Sequence, residues 1–245
     1  MKVVLAIFLS SCPFSLTLGQ DTYPNKKFTI QELREDFTVF RESLEEAHPG
    51  LYWFNSKDEM DRLFNEVSAS LNHPMTEKEF FPKLNRIVAK IGCLHTNIRP
   101  SELLVKNYFT VDTRYFPFEL KFLDDKVFIY QNMSENDSIK PGLEVVAIYG
   151  IQMDSITLQL LRYLSSDGYG KGWASYTLEK VFSLYYRFFI DDSETFRTSL
   201  KESNEQVKHL MIEGLPNYKM DSLKKMRYGS NSKIKPFIQL TGIKN

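Results

Sequence analysis

The 245-residue chain is poor in cysteine, histidine and tryptophan, with two, four and two residues respectively. Two cysteines as far apart as Cys12 and Cys93 exclude a disulfide scaffold. The four histidines are scattered and lack H-E-x-x-H spacing, so no metal site is expected. No excess of charge exists either: 31 Lys and Arg balance 31 Asp and Glu. Without a basic cluster there is no electrostatic footprint for nucleic acid. No apolar run approaches the roughly 18 residues that a membrane span needs. Internal repeats and low-complexity tracts are also absent. What remains is 42% hydrophobic and 25% charged, a globular composition with enough chain for one large or two small domains.

The first twenty residues read as an address. Met1-Lys2 is a short positive start, Val3 to Leu9 is apolar, and Thr17-Leu18-Gly19 offers small residues to a signal peptidase. Cleavage after Gly19 would expose Gln20. A rival reading takes Leu9-Ser10-Ser11-Cys12 as a lipoprotein box with a lipid anchor on Cys12. Once Cys12 is removed, no internal disulfide can form, which fits a bacterial periplasm or cell surface.

Three helices are expected next, each opened by a capping box: Thr29/Glu32, Ser56/Glu59 and Thr76/Glu79. Leu33, Phe37, Phe40 and Leu44 give the first an apolar face; it stops before His48-Pro49-Gly50. Met60, Leu63, Phe64, Val67 and Leu71 face inward on the second. On the third the inward residues are Phe80, Leu84, Ile87, Val88 and Ile91. Pro82 should kink this helix or delay its start, and Gly92 ends it.

The pattern then changes to strands. Phe118 to Phe122 alternates, Asp124-Asp125-Lys126 is a turn, and Val127 to Tyr130 completes a hairpin. Pro141-Gly142 is a turn before a buried strand, Leu143 to Ile148, closed by Tyr149-Gly150. Asp154 should cap a helix carrying Ile156, Leu160, Leu161 and Leu164. A glycine-rich loop, Asp167 to Gly172, precedes an aromatic helix over about 176–189 with Leu178, Val181, Phe182, Tyr185 and Phe189 inward. Val207 to Ile212 is the last clear strand, and the chain from Lys219 is Lys-rich and weakly patterned.

Two stretches carry a family resemblance. His48-Pro49-Gly50-Leu51-Tyr52 is followed, about forty residues on, by Ile91-Gly92-Cys93-Leu94-His95-Thr96. The pair resembles the helical N-terminal region of S41 family serine peptidases, the C-terminal processing or tail-specific proteases. Cys93 and Leu94 stand where the commonest form has an acid and a glycine. Ile139 to Gly150 is similar to the strand and turn of the PDZ-like domain that follows in this family, with Tyr149 in the usual place of Asn. The Ser166-Asp167-Gly168 loop and the aromatic helix fit as well. The resemblance covers about residues 29 to 212. It implies a nucleophilic Ser and a base Lys in a later α/β domain, which this chain, ending at Asn245, is expected to lack.

Ser222/Lys225, Ser230/Lys233 and Ser232/Lys235 have S-x-x-K spacing, but 21 Ser and 21 Lys give about two such pairs by chance. A lysine base also needs burial, which a Lys-rich tail does not offer. Cys93 and His95 read as a buried structural thiol beside a hydrogen-bonded His, with His48 able to approach from the other loop. Asp167 to Gly172 lacks a phosphate-cradle pattern. Tyr185 to Phe189 reads as helix core. Asn132-Met133-Ser134 and Asn136-Asp137-Ser138 are glycosylation sequons by pattern, relevant only to a eukaryotic secretory route. No catalytic, cofactor-binding or metal residue is therefore assigned.

The expected fold is α+β: a three-helix unit, a PDZ-like mixed unit, and a short tail containing β structure. The expected divisions are 1–19 signal peptide, 20–100 helical, 101–205 PDZ-like, and 206–245 the start of an incomplete catalytic domain. The expected function is an exported S41 peptidase-like protein that binds polypeptide or peptide C-termini without cutting them, through a groove near Phe116 to Phe122 and Pro141-Gly142. The alternatives are a truncated or split serine endopeptidase, and a carrier of apolar ligands like the S41-related interphotoreceptor retinoid-binding proteins.

Overall fold

A computed structural model describes residues 25–168 and 170–229. The signal-peptide and Cys12 readings, and the pairs Ser230/Lys233 and Ser232/Lys235, lie outside the described residues. In chain order, β1 (Lys27–Phe28) leads to α1 (Ile30–Ala47), α2 (Lys57–Ser70), β2 (Met75–Thr76), α3 (Glu77–Ile91) and α4 (Glu102–Tyr108). Strands β3 (Arg114–Tyr115), β4 (Phe118–Leu123), β5 (Lys126–Asn132), β6 (Glu144–Ile148) and β7 (Ile151–Gln152) follow. The remainder is α5 (Met153–Leu161), α6 (Lys171–Phe189), β8 (Thr195–Lys201), β9 (Val207–Glu213), β10 (Leu215–Pro216) and α7 (Asn217–Tyr228). The fold is α+β, and no described helix is long and apolar enough to cross a membrane.

All three capping boxes form. In each, the Ser or Thr hydroxyl accepts the N3 amide and the Glu carboxylate accepts the N-cap amide, worth about 1 kcal/mol of helix stability apiece. The inward faces of α1 to α3 meet in one core that includes Leu33, Phe37, Met60, Phe64, Ile87 and Ile91. Pro82 does not delay α3, which starts at Glu77 and runs through it; the capping box sets the start before the proline is reached. Gly92 ends α3 in the left-handed region, at φ +75°.

The main sheet has the order β4-β5-β6-β8-β9, all pairs antiparallel, with β7 also on β6. The β4–β5 hairpin turns through Asp124 and Asp125, both at positive φ, the conformation that matches strand twist. Phe116, Phe118, Phe182, Tyr186 and Phe196 fill the space between the sheet and α6 with rings 5.1–6.5 Å apart. The helical unit is tied to the sheet unit by Phe81, Leu104 and Phe188 and by the Lys78–Asp192 pair at 2.6 Å.

Several expectations need correction. Asp154 is not the cap of α5: the helix begins at Met153 behind Gln152, and the Asp154 carboxylate accepts the Ser155 amide inside the first turn. The aromatic helix starts at Lys171, so Gly172 is helical and the loop ends at Gly170. The weakly patterned stretch from Lys219 is helical as far as Tyr228, where α7 ends, and it buries Met220. Strand β8 was not anticipated. It lies between β6 and β9 and pairs with β9 along its whole length, joined to it through residues 202–206.

Candidate functional site

Three of the segments that carry the family resemblance, His48 to Tyr52, Ile91 to Thr96 and Ser166 to Gly168, meet at one place. Gly92 closes α3, and its carbonyl accepts the Gly168 amide at 2.9 Å. Phe54 fills the angle between them: a Cβ on Gly168 would sit 2.8 Å from its ring, and one on Gly92 3.2 Å. Both glycines have positive φ, so each position requires glycine for conformation as well as space. Asn55 donates to the Lys90 carbonyl at 2.6 Å, which holds the Phe54 loop against the end of α3.

Cys93, His48 and Thr96 form a short polar chain there. His48 Nε2 lies 2.7 Å from Thr96 Oγ1. The Thr96 hydroxyl, followed by the backbone amides of His95 and Thr96, holds the Cys93 thiol below its ordinary range; partial burial and Asp167 act in the opposite direction. His48 Nδ1 is buried without a hydrogen-bond partner among the described residues. His95 is exposed. The thiol is partly exposed, and the His48–Thr96 contact pins the His48 loop to the segment after α3.

The other sequence candidates do not converge here. Ser222 and Lys225 are exposed on α7. In the run Tyr185 to Phe189, Tyr186 and Phe188 are buried in packing, and Phe189 stacks on Tyr163 at 4.1 Å. Asn132 is buried, its amide donating to the carbonyls of Asn136 and Ile139, so that sequon is a structural turn. Asn136 is exposed.

Two strand edges decide where an extended chain could join the sheet. The edge of β4 is largely closed. The Phe116 carbonyl accepts Ser183 Oγ at 2.7 Å, the Phe122 amide donates to Glu179 at 3.2 Å, and Lys121 pairs with the same carboxylate. The edge of β9 is different. Glu202 bonds Gln206 and Gly214 bonds Glu194 across the β8–β9 pair, which sets the alternation between them. Residues 208, 210 and 212 therefore bond β8, and the backbone groups of Val207, His209, Met211 and Glu213 point the other way. Among the described residues no strand pairs with that outer edge. Val207 and Met211 are 45% and 62% exposed along it, and His209 is fixed by Ser199 at 2.9 Å. The sequence reading found β9 but not its place at the edge, because that depends on β8. The alternation Phe196, Thr198, Leu200 was the available signal for β8; a threonine at the middle inward position obscured it.

No family model matches the chain, and no curated protein matches it. Solved structures do. Mature CPAF is similar at a TM-score of 0.56 and 11% identity, over 76% of this chain and 34% of that one. A serine-to-alanine mutant of CPAF gives a TM-score of 0.56 at 9% identity, over 83% of this chain and 39% of that one. Mature CPAF complexed with lactacystin gives the same TM-score at 11% identity, over 76% and 35%. The chain thus spans between 34% and 39% of the length of these structures. At this identity the likeness concerns the fold alone: the chain shares the fold of the matched part of CPAF.

Proposed function

We propose that this chain is an exported polypeptide-binding protein on a protease-related scaffold, taking an extended segment as an added strand along β9. One observation carries the reading: β9 is a seven-residue strand bonded on one side to β8 and unpaired on the other among the described residues. Four outward residues, Val207, His209, Met211 and Glu213, supply alternating donors and acceptors. The backbone gives affinity, and the exposed side chains of Val207 and Met211 give an apolar stripe for alternate residues of the guest. The closed β4 edge moves the binding strand away from the place the sequence reading favoured. Export is part of the proposal and is supported by the Met1 to Gly19 pattern.

The experiment is fluorescence anisotropy with a labelled unfolded polypeptide, reduced and carboxymethylated α-lactalbumin, titrated with the mature protein. Saturable binding is expected. Met211→Pro removes an outward N–H but none of the bonds to β8, so it should fold and bind about tenfold more weakly. Absence of saturable binding, or equal binding by Met211→Pro, would overturn the reading.

A further inference from the structure

A second feature lies on the helical side of the molecule, away from β9. A cleft of about 630 Å³ opens between α2, α3 and the C-terminal end of α5. We propose that it binds a small polyvalent oxyanion, a diphosphate or a tricarboxylate.

The argument begins with side-chain spacing. Glu59, Arg62 and Glu66 lie three and four residues apart on α2, and Arg86 and Lys90 four apart on α3, so each set shares one face. Arg162 directly follows the last residue of α5. All six line the cleft.

Both carboxylates are already committed. Glu59 Oε2 accepts the Ser56 amide at 2.8 Å and its hydroxyl at 2.9 Å, completing the capping box of α2. Glu66 takes both arms of the Arg86 fork, at 2.7 and 3.1 Å. Each is held below the usual carboxylate range. For Glu59 the first cause is the Ser56 amide, with Lys90 and Arg62 adding their field; for Glu66 it is Arg86, with Arg162 adding its own. They therefore stay charged at neutral pH, and the four cations still exceed them by two.

Arg62, Lys90 and Arg162 make no side-chain ion pair or hydrogen bond among the described residues. Arg62, Lys90 and Arg162 are exposed and line one concavity, where their like charges raise the local positive potential. A polyvalent anion lowers that potential, and guanidinium forks fit the paired oxygens of phosphate or carboxylate. The Phe54 ring and the Gly92–Gly168 bond wall one end, which favours a small ligand over a polymer.

Isothermal titration calorimetry with sodium pyrophosphate and, separately, sodium citrate tests this on the mature protein at low salt. Saturable binding of at least one anion is expected, weakening as salt rises. Pyrophosphate alone would identify phosphate chemistry, and citrate alone carboxylate chemistry. Arg62→Gln and Arg162→Gln should each lower the affinity about tenfold, with the circular dichroism spectrum and thermal midpoint retained. The double variant Lys219→Gln/Lys225→Gln, on exposed positions of α7 outside the cleft, should bind as the parent does. No binding of either anion, unchanged affinity in the cleft variants, or an equal loss in the α7 variant would overturn the proposal. The β9 experiment reads a different surface, so either idea can fail alone.

Discussion

Gly168 donates its backbone N–H to the Gly92 carbonyl at 2.9 Å, and this bond joins the end of α3 to the loop before α6. Phe54 closes the angle, its ring packed against both glycines.

Gly168→Ala should therefore be costly. Its φ of +61° strains any L side chain, and the new Cβ would stand 2.8 Å from the Phe54 ring. Gly150 has φ +82° but nothing within 4 Å, so Gly150→Ala carries strain without the clash. Gly150→Ala should cost about 1 kcal/mol and Gly168→Ala about 2–3 kcal/mol, read from urea unfolding midpoints. Equal losses would show that Phe54 moves aside freely.

Tyr149 occupies the left-handed region at φ +52°, where Asn is easier to hold. Its amide donates to the Arg197 carbonyl at 2.7 Å, and its hydroxyl donates to the Thr195 carbonyl, so two bonds to β8 offset the strain. Tyr149→Phe keeps the ring and loses one bond. Thermal unfolding should show a loss of about 0.5–1.5 kcal/mol. An unchanged midpoint would mean that packing alone holds the residue.

The Lys78–Asp192 pair gives the junction of the two units a pH dependence. The Lys78 ammonium is the first cause that holds the Asp192 carboxyl below the usual carboxylate range. A depressed carboxylate stabilises the fold above its unfolded pKa, and that stability is lost as pH falls through the folded value. Amide exchange around Tyr108 and Arg187, which share this junction, should accelerate below about pH 4. Asp192→Asn should exchange faster at neutral pH and lose most of that acid-induced increment.

The Cys93 thiol is held down first by the Thr96 hydroxyl. The pH profile of iodoacetamide alkylation should have its midpoint below that of an ordinary cysteine, about 8.5. Thr96→Val removes the hydroxyl and the contact with His48, so its midpoint should rise. A midpoint that stays put would assign the effect to the backbone amides of His95 and Thr96.

The parts legible in the sequence were those whose determinants lie within four residues. The three capping boxes, the αL glycine after Ile91 and the Asp124-Asp125 turn each close their own hydrogen bonds locally, so spacing alone located them. The inward faces of α2 and α3 followed from helical period for the same reason. Helix α7 was missed because its start has no side-chain cap and its surface is dominated by lysine and arginine.

Where distant residues meet was set by tertiary structure. That β9 is an edge depends on β8 and β6 beside it, and that the β4 edge is closed depends on Glu179 and Ser183 of α6. Arg62, Lys90 and Arg162 are unremarkable in sequence and face one cleft only after three helices pack. The sequence by itself determined the local elements, their caps and their buried faces, because those signals act through neighbouring backbone groups. The pairing order, the free edge and the charged cleft came from long-range packing, whose contacts no spacing along the chain encodes.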